Sequence, residues 1–329
     1  MERHQRRLSR GAVGGAGDGS GIMSTETIGV VGFGVIGQRW AAAFAHFGHP
    51  VRCHDPDGDA WNRFGMIRAA LDADLVALFG AARPGGSITF FTDIATALAG
   101  VDHVQESGPE NIETKRALLA EIERHVGTEV VIASSSSALH VTQMQADCAR
   151  PERIVLAHPF NPAHIMPLVE IVGGERTDPA LPERMRNFYE AVGKKPVILN
   201  REVTGHLALR LMGAMWREAI ALVRDGVASA EDVDRAFVYG PGPKWGLQGS
   251  FISNSLNAAG IDDFLRKYGA TYEAIWADLG DATLDEATRA GVVRSVTPML
   301  EARGLDTLRD ERDAGIVDIL KAVAAKGAL

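Results

Sequence analysis

Thr27-Ile28-Gly29-Val30-Val31-Gly32-Phe33-Gly34-Val35-Ile36-Gly37 decides the fold. Thr27 to Val31 is a short apolar run, the pattern of a parallel strand buried on both faces. From Val35 the apolar residues take helical spacing (Ile36, Trp40, Ala43, Phe44, Phe47), and Gly48 ends the helix. Pro50 to His54 is a second strand, so the three pieces form a βαβ unit. Between the first strand and the helix lies GxGxxG, a weak signal alone but one that dinucleotide binding requires in this place. Gly32 permits the tight turn, Gly34 lets the backbone approach a pyrophosphate, and Gly37 lets helix and strand pack closely. The free N–H groups of the loop Gly32, Phe33, Gly34, Val35, Ile36 and Gly37, with the helix dipole, favour phosphate charge.

Asp55 closes the second strand, about twenty residues on, where an acid accepts hydrogen bonds from the adenosine ribose hydroxyls. A carboxylate there repels a 2′-phosphate, so the sequence favours NAD over NADP. Arg52 precedes Asp55 in the strand and is poorly placed to rescue NADP. The plainer alternative is a glycine turn followed by a solvated acid.

Further strands are expected at Asp102–Gln105, Glu129–Ala133, Ile154–His158, Leu168–Val172 and Pro196–Leu199, with helices at Asn111–His125 and Met185–Val192. From about Arg201 strands vanish, and helical stretches run over Gly205–Gly226, Ser229–Val238, Leu284–Gly304 and Leu305–Ala325. The fold class is therefore α/β, an N-terminal doubly wound Rossmann domain followed by an all-helical C-terminal domain. The expected boundaries are 23–200 and 201–329. Residues 1–22, Arg-rich and then Gly-rich, lack apolar periodicity and read as a disordered leader or tag.

A chain of 329 residues suits two domains, and 46% hydrophobic residues suffice for a sizeable core. A net charge of −8 favours neither nucleic acid nor an anionic membrane as partner. No run approaches the ~20 apolar residues of a membrane span. Cys53 and Cys148 form no metal-ligand cluster, read as small buried hydrophobes, and suit the reducing cytoplasm. No metal is expected.

Glu170 sits in Leu168-Val169-Glu170-Ile171-Val172, where a buried carboxylate needs a partner. His158 ends the preceding strand. If the strands are neighbours, His158 is a general base for removing an alcohol proton beside a nicotinamide, and Glu170 orients its ring. Spacing alone supports equally a satisfied structural histidine and an edge-facing acid.

The segments VGFGVIG, VQESGPEN, ASSSSAL, AHPFNP and PLVEIVGGERT, in this order between about Thr27 and Tyr268, resemble the 3-hydroxyacyl-CoA dehydrogenase family. Within it the chain resembles the members that oxidise free acids, of the L-carnitine and L-gulonate (λ-crystallin-like) kind, and WREAIALVRDGVAS and YGPGPKWGLQGSF are similar to the L-carnitine kind in particular. The resemblance implies NAD as cofactor, a small 3-hydroxy acid as substrate and a homodimer. It implies that His158 and Glu170 are the catalytic pair and that Ser137 bonds the reacting oxygen. Glu110 falls on the acid near the nicotinamide. Without the family, Ser137 reads as an exposed turn serine and Glu110 as a helix N-terminal acid.

One departure stands out. The family commonly reads GFxxNRL where this chain has Gly205-His206-Leu207-Ala208-Leu209-Arg210-Leu211. Leu209 replaces the usual Asn and cannot donate a hydrogen bond. His206, in place of Phe, is a pocket candidate, with an exposed structural histidine as the alternative expected. Arg210 is a candidate partner for a substrate carboxylate, or a helix-surface ion-pair residue.

Asp57 to Gly100, which in the CoA enzymes resembles a basic helical hairpin, holds Arg63, Arg68 and Arg83 against five aspartates. That balance favours a free acid over a CoA thioester. Trp245, in what reads as a Gly-rich loop, could hold a trimethylammonium by cation–π attraction or simply pack on its own domain. The helix from Gly205 carries Leu207, Leu211, Met212, Met215, Trp216 and Ile220, more apolar surface than one solvated face needs. The expected activity is NAD-dependent oxidation of an L-3-hydroxy acid to the 3-keto acid. A short-chain 3-hydroxyacyl-CoA dehydrogenase and a non-catalytic crystallin-like or NAD-sensing protein are its rivals.

Overall fold

The computed structural model describes residues 25–325, so the expectation for residues 1–22 lies outside the described residues. The elements in chain order are β1 (Ile28–Val31), α1 (Val35–His46), β2 (Pro50–His54), α2 (Asp59–Phe79), β3 (Ser87–Phe91), α3 (Ile94–Leu98), β4 (His103–Glu106), α4 (Ile112–His125), β5 (Val131–Ser134), α5 (Val141–Met144), β6 (Ile154–Pro159), β7 (Leu168–Gly173), α6 (Leu181–Ala191) and β8 (Lys195–Ile198). Helices alone follow: α7 (Ala208–Arg224), α8 (Ala230–Tyr239), α9 (Pro241–Ser255), α10 (Ile261–Asp278), α11 (Glu286–Arg303) and α12 (Leu305–Ala325).

The eight strands make one sheet in the order β3-β2-β1-β4-β5-β6-β7-β8. The first six are parallel, in the order of a doubly wound dinucleotide fold. β7 turns back antiparallel to β6, and β8 runs parallel to β7. Alternate residues of the central strands feed opposite faces. Ile28, Val30, Val131 and Ala133 join Trp40, Phe44 and Tyr189 in one core cluster, while Val31, Val104 and Ile132 join Leu119 and Ile122 in the other. Two buried faces explain why these strands read as continuous apolar runs.

Three differences from the sequence reading have physical causes. The sequence reading placed no element in the region 57–100, which holds the long helix α2, the strand β3 and the short α3. β3 is half-exposed at the sheet edge, so its alternation is faint. The stretch GPGPKWG is not a loop but the start of α9: Pro241 takes the first turn, where its missing N–H costs nothing, and the helix kinks at Gly249, whose φ is 68°. Helix α7 starts at Ala208 and not at Gly205, because Gly205 and His206 both have left-handed backbone, with φ 77° and 50°.

Cys53 and Cys148 are buried and unpaired, as expected. No helix of the described residues is long and apolar enough to cross a membrane. Among the described residues no group of three or more metal-ligating side chains gathers.

Candidate active site

At the carboxyl end of β1 the glycine loop fits a dinucleotide cradle. Gly32 has φ 88°, and a Cβ there would lie 2.6 Å from the Ser107 backbone. A Cβ on Gly37 would lie 1.9 Å from the Gly32 oxygen, so helix and turn touch without room for a side chain. At Gly34 a Cβ would meet nothing within 4 Å, which leaves the loop's outer face open to a close-approaching phosphate. No side chain caps α1. The Phe33 side chain is buried among Trp61, Phe64 and Phe90 and gives the cradle its backbone alone. Val35 is exposed and Ile36 half-buried.

Asp55 is tied to that loop. Its Oδ2 accepts the Phe33 N–H at 2.8 Å and its Oδ1 the Asp57 N–H at 3.0 Å. The acid is thereby aimed by the loop and by the first residues after β2. These residues fit NAD: an open glycine loop at a helix N-terminus, with an acid at the end of the next strand.

Across the crevice, β6 and β7 place His158 opposite Glu170 in antiparallel register. His158 Nδ1 lies 2.9 Å from Glu170 Oε2, with both side chains nearly fully buried. Burial acts to raise the Glu170 pKa. The bond from His158 and the N–H groups of Ala208 and Leu207 outweigh it and hold the carboxyl below its ordinary value. An ionised carboxylate only accepts, so Nδ1 must donate, and the neutral ring keeps its lone pair on Nε2. Nε2 has no protein partner among the described residues. The pair can therefore take a proton at Nε2 and stabilise the resulting charge through Glu170.

Glu170 has a second role that the sequence reading missed. Its Oε1 accepts the N–H of Leu207 at 2.7 Å and of Ala208 at 2.9 Å. Leu207 is the N-cap of α7 and offers no side-chain cap of its own. A strand carboxylate thus caps the first helix of the helical region and meets its dipole.

Glu110 does not begin a helix; Asn111 caps α4, accepting the Thr114 N–H. Glu110 Oε1 accepts from Ser136 Oγ at 2.7 Å and from the N–H groups of Ser137 and Ala138 at 2.8 and 2.9 Å. Burial opposes its charge, but Ser136, Ala138, Lys115 and Ser137 together hold its pKa below the usual value. Glu110 thereby fixes the turn that carries half-buried Ser137. Below that turn Lys115 and Glu106 form a buried ion pair at 2.7 Å, and Ser134 Oγ donates to Glu106 at 2.7 Å. The alternation of the strand gave no sign of this pair, whose members come from β4 and α4.

His206 is buried, which corrects the exposed histidine expected from sequence. Its ring centroid lies 5.3 Å from that of His158, and its Nε2 donates to the Ser136 carbonyl at 3.3 Å. The left-handed backbone at 205–206 turns the ring inward, which a helical reading from Gly205 could not show. Burial, first of all, keeps its pKa below the ordinary histidine value. Leu209 is half-buried and Arg210 exposed, donating to the Thr204 carbonyl at 3.4 Å. Trp245 packs on Phe237 of α8, with ring centroids 6.2 Å apart.

Two family models match the chain. The NAD binding domain of 3-hydroxyacyl-CoA dehydrogenase matches residues 27–203, and the C-terminal domain of 3-hydroxyacyl-CoA dehydrogenase matches residues 205–275. The L-carnitine dehydrogenase of Bacillus cereus is 36% identical over 92% of this chain and 93% of its own length. That of Streptomyces griseus is 38% identical over 89% of this chain and 88% of its own. Among solved structures, an NAD+ dependent dismutase, 5-formyl-3-hydroxy-2-methylpyridine 4-carboxylic acid 5-dehydrogenase, is 28% identical with a TM-score of 0.79, covering 91% of this chain and 98% of the other.

Proposed function

The chain belongs to the 3-hydroxyacyl-CoA dehydrogenase family, an NAD-dependent group of oxidoreductases acting on CH–OH, and we propose that it oxidises the secondary alcohol of a free L-3-hydroxy acid of the carnitine kind to the 3-keto acid. The observation that carries this reading is His158, with Nδ1 held by Glu170 at 2.9 Å and Nε2 left for a substrate.

NAD, when bound on Gly32–Gly37 and Asp55, supplies the acceptor for the hydride. His158 Nε2 takes the hydroxyl proton, while Nδ1–H stays on Glu170, whose charge stabilises the imidazolium. The Ser137 hydroxyl bonds the reacting oxygen, on a turn fixed by Glu110. Leu209 has no donor to add, so the buried His206 is the polar group of this segment beside His158.

A free acid is supported by what the arginines near the cofactor crevice already do. Arg63 pairs with Asp57 and Arg68 with Asp72, each at 2.7 Å. Neither is left to neutralise the phosphates of coenzyme A. Carnitine as the substrate rests on the relatives' identity over most of the chain. Trp245 is the candidate for the cation end of the substrate, by cation–π attraction, and Arg210 for its carboxylate.

That assembly is a homodimer in this reading. Residues 23–200 form the NAD-binding domain and 201–329 the substrate and dimer domain. Leu211, Trp216 and Phe251 are 75%, 60% and 80% exposed on the helices, an apolar surface that a second copy would cover. The two unpaired buried cysteines suit the reducing cytoplasm.

The test is initial-rate NADH formation with L-carnitine, L-gulonate, L-3-hydroxybutyrate and L-3-hydroxybutyryl-CoA. L-carnitine is expected to give the highest kcat/KM. Preference for the thioester would overturn the free-acid reading, and silence throughout, with NAD bound, would overturn the activity.

A further inference from the structure

The sheet has a second opening, at the end away from the glycine loop. Glu26 precedes β1, His49 precedes β2 and His103 begins β4, so the three gather at the amino ends of the strands. With Arg83, Arg184 and Phe188 they line a cavity of ≈ 730 Å³. Small-ligand pockets typically measure ~300–1,000 Å³.

The lining is built rather than incidental. The Arg83 guanidinium lies over the Phe47 ring, 4.9 Å from its centroid, and donates to the Ala191 carbonyl at 3.4 Å. Glu183, the acid next to Arg184, pairs with Arg186 at 3.2 Å instead. Neither Arg83 nor Arg184 has a carboxylate within ion-pairing distance among the described residues. His103 is 3% exposed, its Nε2 has no partner among the described residues, and its ring lies 4.6 Å from that of Phe188.

Charge and shape select the guest. Two arginines against Glu26 leave one positive charge, since burial keeps His103 neutral, down at about 3. The aromatic walls are Phe188 and Phe47. The chain meets the rim at Thr25. We propose that this cavity is a second binding site, for a small aromatic monocarboxylate. Its carboxylate lies between Arg83 and Arg184 and its ring against Phe188. β4 runs from this site at His103 to Glu106, beside the cofactor loop, so occupancy has a direct structural route to the crevice.

The experiment is isothermal titration of benzoate into the full chain with saturating NADH present. One benzoate per chain is expected, and acetate should bind at least tenfold more weakly. The double variant Arg83→Gln/Arg184→Gln should weaken benzoate about tenfold or more while NADH affinity and turnover stay at wild-type values. No saturable uptake, equal uptake by the double variant, or displacement by the hydroxy acid substrate would each overturn the site. Equal affinity for acetate would overturn the aromatic assignment. Uptake seen only in a chain that begins at Met23 would give the cavity to the leader and end the proposal.

Discussion

Glu170 accepts the amide of Leu207 with one oxygen at 2.7 Å and faces His158 with the other at 2.9 Å. One carboxylate thus sets the tautomer of the candidate base and caps the first helix beyond the sheet. The two roles separate by substitution. In Glu170→Gln the amide oxygen keeps the helix amides, while the amide nitrogen donates to Nδ1 and drives the ring proton onto Nε2. We predict a fall in kcat of ~10²–10⁴ with little change in melting temperature. Glu170→Ala should lose both roles and destabilise the fold as well, by ~1–3 kcal/mol. Stopped-flow kinetics and thermal melts on both variants check this, and normal turnover in Glu170→Gln would remove Glu170 from the mechanism.

His158→Ala should lower kcat at least ~10²-fold and leave the NAD dissociation constant within error. A variant that binds NAD normally and still turns over at near wild-type rate would show that another group takes the proton.

The glycines of the cradle should part company. Gly34→Ala meets no atom within 4 Å, so the fold should tolerate it while NAD binding weakens at least ~10-fold. Gly37→Ala drives a Cβ to 1.9 Å from the Gly32 oxygen and should compromise folding itself. Melting curves alongside NAD titration separate the two. Asp55→Asn should keep the Phe33 amide bond and reduce the preference for NAD over NADP, read from the ratio of kcat/KM values.

His103 gives the stability a pH dependence. Burial lowers its folded pKa from 6.5 to about 3, whereas the unfolded chain titrates near 6.5. Between these values the unfolded state binds the extra proton. Stability should therefore fall as pH drops below 6.5, by about 1.4 kcal/mol per pH unit from this residue. Glu170 and Glu110, with depressed pKa values, add their own loss only below the ordinary carboxylate range. Urea melts of His103→Phe between pH 6.5 and 5 should show a shallower slope than wild type. An unchanged slope would mean that His103 is hydrated or paired in solution.

Leu211→Asp and Trp216→Glu, together, should halve the mass measured by light scattering at micromolar concentration. If the wild-type chain already elutes as a monomer, the homodimer is wrong.

The glycine loop, Asp55 and the doubly wound fold class were legible because turn chemistry and the switch from strand to helix period are local signals. Spacing alone left the pairing of His158 with Glu170 open, since register is a property of the hairpin, and only the family resemblance joined them. The second role of Glu170 left no trace, because its donors are the backbone amides of Leu207 and Ala208, 37 and 38 residues further along the chain. His206 was misjudged for a related reason: a left-handed non-glycine residue has no pattern to announce it. In α9, glycines and prolines hid the helical period, and in β3 edge exposure hid the alternation.

The reversal of β7 against β6 also sets how the parts come together in time. Every other neighbouring pair of the first six strands is parallel and must close across an intervening segment, whereas His158 and Glu170 are 12 residues apart and meet within one hairpin. Short loops cost least entropy to close. We predict that amides of β6 and β7 gain protection before those of β1 and β4 in pulse-labelled refolding, so that the proton acceptor is assembled by a single hairpin while the cofactor crevice waits for the whole sheet.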